Sequence, residues 1–224
     1  MLKTLVFDVN ETLIDLSPVR LSVNLAFGRE GAYSQWFTSL LHQSLVQSAL
    51  GQSHDFSSLG LAALRAMNTQ EDRGLGEIEL LEVMDSFRIC RAHADVADSL
   101  ETLKTEGYTL IALSNSEETG LHKLLQQADV ASFFDHIIGA ERFRRYKPHA
   151  EVYTGALRAA KKLPEESVLI STHSWDLEGA HAVGWKTAYL LREGIAFFPL
   201  HHSPDFLLEN LTELGAALEA EKAP

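Results

Sequence analysis

The chain has 224 residues and carries 19 Lys+Arg against 31 Asp+Glu, a net charge of −12, with 46% hydrophobic residues. The excess of acid argues against a nucleic-acid or anionic-membrane partner, either of which would need basic patches to displace counterions. A lone Cys90 forms no internal disulfide, no apolar run nears the roughly 18 residues that cross a bilayer, and Asp8 and Glu11 interrupt any N-terminal signal stretch, so a cytoplasmic soluble protein of one or two domains is expected.

The first element, Lys3 to Asp8, is a short continuous apolar run closed by an acid. Such a run suits a strand buried on both faces of a parallel sheet. From Asp15 to Cys90 the chain reads as helical throughout, with stretches at Val19 to Phe27, Tyr33 to Leu50, Phe56 to Met67 and Gly76 to Phe87 punctuated by glycines. An all-helical insertion straight after the first strand is expected to form a cap over the sheet's carboxyl edge, where open α/β folds place their sites. Strand signatures then recur at Thr109 to Leu113, Val168 to Ile170 and Thr187 to Leu190. Helical stretches flank them: Asp95 to Glu106, Glu117 to Gln127, Ala150 to Lys162, and Asn210 to Ala220 in the tail. Alternation of this kind predicts βαβ units and a parallel sheet. The expected division is an α/β core of residues 1–14 and 91–224 and a helical cap of residues 15–90.

The strand ends concentrate polar chemistry. They carry Asp8-Val9-Asn10-Glu11-Thr12, then Ser114-Asn115, then Ser171-Thr172-His173-Ser174-Trp175-Asp176, with Lys147 in between. Parallel strands would bring all of these to one edge. An aspartate on a buried strand end needs a cation or hydrogen bonds to stay ionised. Lys147 is the natural partner, and Asp176 could orient its ammonium. Read alone, Asp8 could equally be a helix cap or turn residue, but several ends loaded alike favour a site. The scattered histidines show no close metal-ligand spacing.

These residues resemble the motifs of the haloacid dehalogenase (HAD) superfamily. Leu5-Val-Phe-Asp8 to Thr12 matches hhhhDxxxT, Ala112-Leu-Ser114-Asn115 matches the strand ending in Ser/Thr-Asn, Lys147-Pro148 matches the lysine, and Ile170-Ser171 to Trp175-Asp176 matches hhhSxxxWD. The resemblance spans nearly the whole chain and is nearest to the type II 2-haloacid dehalogenases. It implies a Rossmann-like α/β core and an Asp8 nucleophile that forms an aspartyl ester or aspartyl phosphate, which water then hydrolyses. It further implies that Thr12 and Ser114 hold the carboxylate or the substrate and that Lys147 offsets negative charge.

Departures from the motif point to the branch. The acid two residues after the nucleophile in phosphatases is Asn10 here, and the Mg²⁺ carboxylate four residues before Asp176 is Thr172. Phosphoryl transfer leans on both, whereas halide leaves without a proton. A hydrolase acting without metal or other cofactor on a small halogenated carboxylic acid is therefore expected, the alternatives being a HAD-type hydrolase of another small substrate (phosphatase-like) or a catalytically weak relative. In that branch Tyr153 matches a site tyrosine, Asn115 and Trp175 part of a halide cradle, Phe56 a ring lining the site, and backbone N–H groups around Val9 the carboxylate holder. Dimers are common among such relatives, so a homodimer is an expectation.

The branch also carries a Trp-Arg pair early in the cap, whose arginine helps bind halide. Aligning Tyr33-Ser-Gln-Trp36 with the Tyr-x-Trp that follows that pair places Phe27 where the arginine is expected. Arg29 and Arg20 are nearby cations, read either as surface residues or as substitutes. His173 stands where the branch has an asparagine. It could act as a general base for ester hydrolysis or be a hydrogen-bonded loop residue. Phe27, Trp36 and Phe56 either line an apolar substrate pocket or pack the cap, and Trp175 either lines the site or packs beneath the loop presenting Asp176.

Overall fold

The structure, a computed structural model, describes residues 2–222. Strand β1 (Thr4–Phe7) is buried along its full length, as its uninterrupted apolar sequence requires. It lies at the centre of a parallel sheet, between β4 (Thr109–Ser114) and β6 (Ser167–Ser171). Strand β5 (His136–Gly139) flanks β4, while β7 (Lys186–Leu190) and β8 (Phe206–Leu208) extend the other side, giving the order β5-β4-β1-β6-β7-β8. Phe7 pairs in register with Ala112 and with Ile170, so the residues that follow emerge side by side at the carboxyl edge. Helices α5 (Val96–Thr105), α6 (Glu118–Gln127), α7 (Ala150–Ala160), α8 (Ser174–His181) and α9 (Leu214–Lys222) accompany the sheet. Those among them with regularly spaced leucines bury one stripe, such as Leu121, Leu124 and Leu125 of α6.

After β1 the chain makes a tight turn, and a two-residue strand β2 (Ile14–Asp15) pairs antiparallel with β3 (Arg91–Ala92). This ribbon marks where the chain leaves the core and where it returns. Between its strands lie four cap helices: α1 (Ser17–Phe27), α2 (Ala32–Leu50), α3 (Phe56–Gln70) and α4 (Glu77–Asp85). Gly28 and Gly51 end α1 and α2 with φ of 62° and 69°, the left-handed termination that glycine adopts without steric cost. Asp55 caps α3 by accepting from the Ser58 N–H. The cap and one side of the sheet share a single continuous core.

Two short strands, β5 and β8, and helix α8 lie outside the elements expected from periodicity. His136-Ile-Ile-Gly139 presents only two consecutive strong apolar residues. Helix α8 begins inside the polar Ser171–Asp176 segment, whose composition reads as a loop.

Candidate active site

Asp8 directly follows β1, and its backbone N–H donates to the Ile170 carbonyl at 3.0 Å, which holds it against the end of β6. Its side chain is 5% exposed. The Thr12 hydroxyl donates to Asp8 Oδ2 at 2.7 Å and the Lys147 ammonium to Asp8 Oδ1 at 3.0 Å. Ser171 Oγ lies 3.5 Å from Oδ2. Thr12 is itself fixed from below, its Oγ accepting from the Thr172 N–H at 3.1 Å.

Lys147 is 1% exposed and bridges two carboxylates, donating to Asp176 Oδ2 at 2.8 Å as well as to Asp8. The Asn115 amide oxygen accepts from the Lys147 backbone N–H at 2.8 Å, so the residue after β4 positions the lysine. The Tyr153 hydroxyl donates to Asp176 Oδ1 at 2.6 Å. This arrangement separates the two acids. Burial pushes the Asp8 carboxyl up, but the Lys147 ammonium, His173 and the Thr12 hydroxyl outweigh it and hold Asp8 below its ordinary value. Asp176 is raised, because deeper burial and the Asp8 charge exceed the help from Lys147 and Tyr153. Burial disfavours the Lys147 cation, yet the two carboxylates override it and raise its pKa. Tyr153 is pushed well up by burial and by Asp176, so its proton stays on the phenol.

A cavity of about 20 Å³ lies over Asp8, lined by Asn10, Ser114, Asn115, Lys147, His173 and Trp175 from the core and by Phe37, Leu41 and Phe56 from the cap. It adjoins a larger apolar space of about 620 Å³ between cap and core, which shares Asn10, Phe37 and Phe56 with it and adds Trp36, Leu40, Met84 and Phe87 among others. Among the described residues, Lys147 is the one lysine or arginine lining the smaller cavity.

The structure thus brings together Asp8, Thr12, Lys147, Tyr153, Ser171, His173 and Asp176, with Asn10, Ser114, Asn115, Phe56 and Trp175 around the opening. Trp36 reaches the larger space only, its indole N–H donating to the Gly60 carbonyl at 2.8 Å. The Val9 side chain is wholly buried in the core. Phe27 is a correction. It is 1% exposed, packs in the cap core and lines neither cavity over Asp8. The cap's sole tryptophan is Trp36, and the residue after it, Phe37, faces the pocket. Trp36 and Phe37 therefore both border the space between cap and core, and Phe37 lines the smaller cavity as well. Arg29 is engaged by Glu71 and Gln35, away from the pocket.

His173 stacks on Trp175 with ring centroids 5.2 Å apart. Its Nε2 faces three acceptors: the Asn10 carbonyl at 3.3 Å, Glu11 Oε2 at 3.5 Å and Asp8 Oδ2 at 3.8 Å. A nitrogen surrounded by acceptors carries a proton. The geometry therefore favours a donor at this nitrogen over the general base considered from sequence. Glu11, buried behind His173, went unrecognised in the sequence because nothing in its spacing separates it from a surface acid.

For a magnesium ion of the kind HAD phosphatases use, the donor set is unsuited. Beside the Lys147-paired Asp8, the positions of the second acid and the metal carboxylate hold neutral Asn10 and Thr172, whereas such hard cations are bound through carboxylates. Among the described residues no group of three His, Cys, Asp or Glu is placed to hold a metal.

The sequence pattern of the haloacid dehalogenase-like hydrolases matches residues 2–184. The chain is 28% identical over 218 residues to (S)-2-haloacid dehalogenase 4A of Burkholderia cepacia, covering 93% of each chain. It is 25% identical over 207 residues to haloacetate dehalogenase H-2 of a Moraxella strain, covering 92% of each. In fold it is similar to the L-2-haloacid dehalogenase of Xanthobacter autotrophicus solved with chloropropionic acid covalently bound, at a TM-score of 0.87 and 23% identity over 98% of this chain and 99% of that one.

Proposed function

This chain belongs to the haloacid dehalogenase-like hydrolases, and from that premise we propose that it hydrolyses the carbon–halogen bond of a small 2-haloacid through an ester of Asp8, without a metal ion. The observation that carries this reading is the buried Asp8–Lys147–Asp176 arrangement beneath the cap, combined with neutral Asn10 and Thr172 where phosphoryl transfer would want acids.

An ionised carboxylate attacks carbon without needing a base, and the lowered pKa of Asp8 keeps it ionised. The Asp8 oxygen forms a bond to the α-carbon as the halide departs with the electron pair. Asn115 and Trp175 border the cavity where that anion would separate. Water then adds to the Asp8 carboxyl carbon. Asp176, kept basic by burial, accepts the water proton. Collapse of the adduct breaks the ester bond: the departing alkoxide takes up the proton held by Asp176 and leaves as a 2-hydroxy acid, and the Asp8 carboxyl gives its remaining proton to solvent, which restores the carboxylate. Lys147, touching both acids, compensates their charge throughout.

Chloride release from 2-chloropropionate in the presence of EDTA tests the scheme. Asp8→Asn is expected to lower turnover by at least about 10³-fold. A single-turnover reaction in ¹⁸O water is expected to place the heavy isotope in Asp8. Phosphate release from phosphomonoesters that requires Mg²⁺, with no chloride release, would replace this reading by the second one. That alternative, a HAD-type hydrolysis of another small substrate, draws support from Phe37, which puts a ring, not a cation, at the cavity over Asp8.

A further inference from the structure

Glu11 sits three residues after Asp8 with φ of +61°, in the left-handed region that favours glycine and costs other residues about 1 kcal/mol or more. It is also a carboxylate buried to 8% exposure. Both features are unfavourable, and both persist only if the surroundings hold them. The Tyr33 hydroxyl donates to Glu11 Oε1 at 2.9 Å and Arg20 Nη2 to the same oxygen at 3.3 Å. Arg20 in turn lies over the Tyr33 ring, 4.8 Å from its centroid. Two cap residues therefore grip one oxygen of a core-loop carboxylate. The other oxygen, Oε2, faces His173 Nε2 at 3.5 Å, a nitrogen that also meets the Asn10 carbonyl at 3.3 Å and faces Asp8 Oδ2 at 3.8 Å.

Tyr33 and Arg20 would satisfy a purely structural clamp between cap and core, but they do not account for Oε2 being turned to a histidine that borders the nucleophile. We propose that Glu11 is a positioning residue for the Asp8 chemistry: it holds His173 with a proton on Nε2, aimed at Asp8 Oδ2, and ties that donor to the closed cap through Tyr33 and Arg20. The inference rests on the reading that Asp8 becomes an ester. While Asp8 is esterified its own charge is gone. As water adds to the carboxyl carbon and loses its proton to Asp176, the carbonyl electron pair moves onto oxygen. The His173 N–H then supports that oxygen beside the Thr12 hydroxyl, and His173 keeps its proton. Donors of this kind contribute most where charge develops.

The test uses the full chain and two variants. Glu11→Gln keeps the shape and the Tyr33 partner, while Glu11→Gly relieves the backbone and removes the carboxylate. Ring ¹⁵N spectra at alkaline pH, assigned by the signals lost in His173→Asn, are expected to place the wild-type proton on Nε2. Both Glu11 variants are expected to weaken that preference, leaving the Asn10 carbonyl at 3.3 Å as the nearest acceptor. With 2-chloropropionate, both are expected to hydrolyse the ester about 10–100-fold more slowly. Chloride would still be released in a first-turnover burst, and protein carrying one extra acyl mass would accumulate. A wild-type proton on Nδ1, or a tautomer that Glu11→Gln and Glu11→Gly leave unchanged, overturns the proposal, as does unslowed ester hydrolysis in an active enzyme. If the wild-type chain releases no chloride, the proposed reaction fails, while the spectra still decide whether Glu11 sets the histidine.

Discussion

Replacing Lys147 by methionine isolates what the central ammonium does. The side chain is 1% exposed and compensates two buried carboxylates at 3.0 and 2.8 Å. Methionine fills similar volume without charge, so the perturbation is electrostatic rather than a cavity. Removing one partner from a buried ionic group costs about 3–5 kcal/mol. In a chain of this size that corresponds to a melting temperature lower by about 6–20 °C. The pH dependence follows from the signs. In the wild type, Asp8 is lowered, so its contribution is full above 3.8 and fades as pH falls through its folded value. Lys147 is raised, so its contribution is full below 10.5 and fades as pH rises through its folded value. Asp176 is raised, so its contribution runs the other way, full below 3.8 and lost as pH rises through its folded value. In the variant both acids are buried without a cation, which raises their folded pKa values above the unfolded ones. Such groups stabilise below the unfolded pKa, and the benefit is lost as pH rises. The gap between variant and wild type is therefore expected to be widest near pH 8 and to narrow toward pH 5, with Asp8→Asn in the Lys147→Met background recovering part of the loss at about pH 8. Thermal melts across that range check this. A variant within about 1 kcal/mol of wild type at pH 8, or a gap that does not change with pH, would refute the reasoning.

Phe37→Arg is expected to raise chloride release from 2-chloropropionate, because it places a cation at the cavity over Asp8. Phe27→Arg is expected to give no gain and to destabilise by about 3 kcal/mol or more, since it buries a charge in the cap core. Parallel halide assays and melts on the two variants discriminate the two positions. Gly179→Ala would set a Cβ 2.5 Å from the Tyr153 hydroxyl and 2.6 Å from its ring. The tyrosine must then shift off Asp176, and a loss of about 1–3 kcal/mol is expected, together with reduced turnover. Unchanged kcat and unchanged melting would sink that link.

The core was readable because strands buried on both faces have a distinctive sequence. Val6, Leu110 to Leu113 and Val168 to Ile170 are continuous apolar runs, and only a central parallel sheet accommodates them. Once the strands are parallel and in register, the residues after each must converge, so Asp8, Ser114 and Ser171 needed no further information to be placed together. The edge strands β5 and β8 were harder. Each is half-covered, and His136 and Phe206 give no periodic signal that separates a short strand from a loop.

The cap obeys a different logic, and there the sequence reading slipped. A residue on a helix is placed near the nucleophile by how that helix docks on the core, which periodicity does not encode. Phe27 and Phe37 both present apolar rings on cap helices; packing alone turns the first inward among cap residues and the second toward Asp8. Glu11 failed to stand out for a related reason. Its importance depends on a left-handed turn that brings its carboxylate under Tyr33 and Arg20, contacts made across 22 and 9 residues of sequence. Thr12 and Ser171 are thus brought to Asp8 by the sheet strands they follow or end, while Phe37 is placed by cap docking. The residues that set this chain apart lie beside Asp8, Phe37 from the cap and the Glu11–His173 pair from core loops. Substitutions among these residues are accordingly the ones expected to change which leaving group is accepted while Asp8, Lys147 and Asp176 remain as they are.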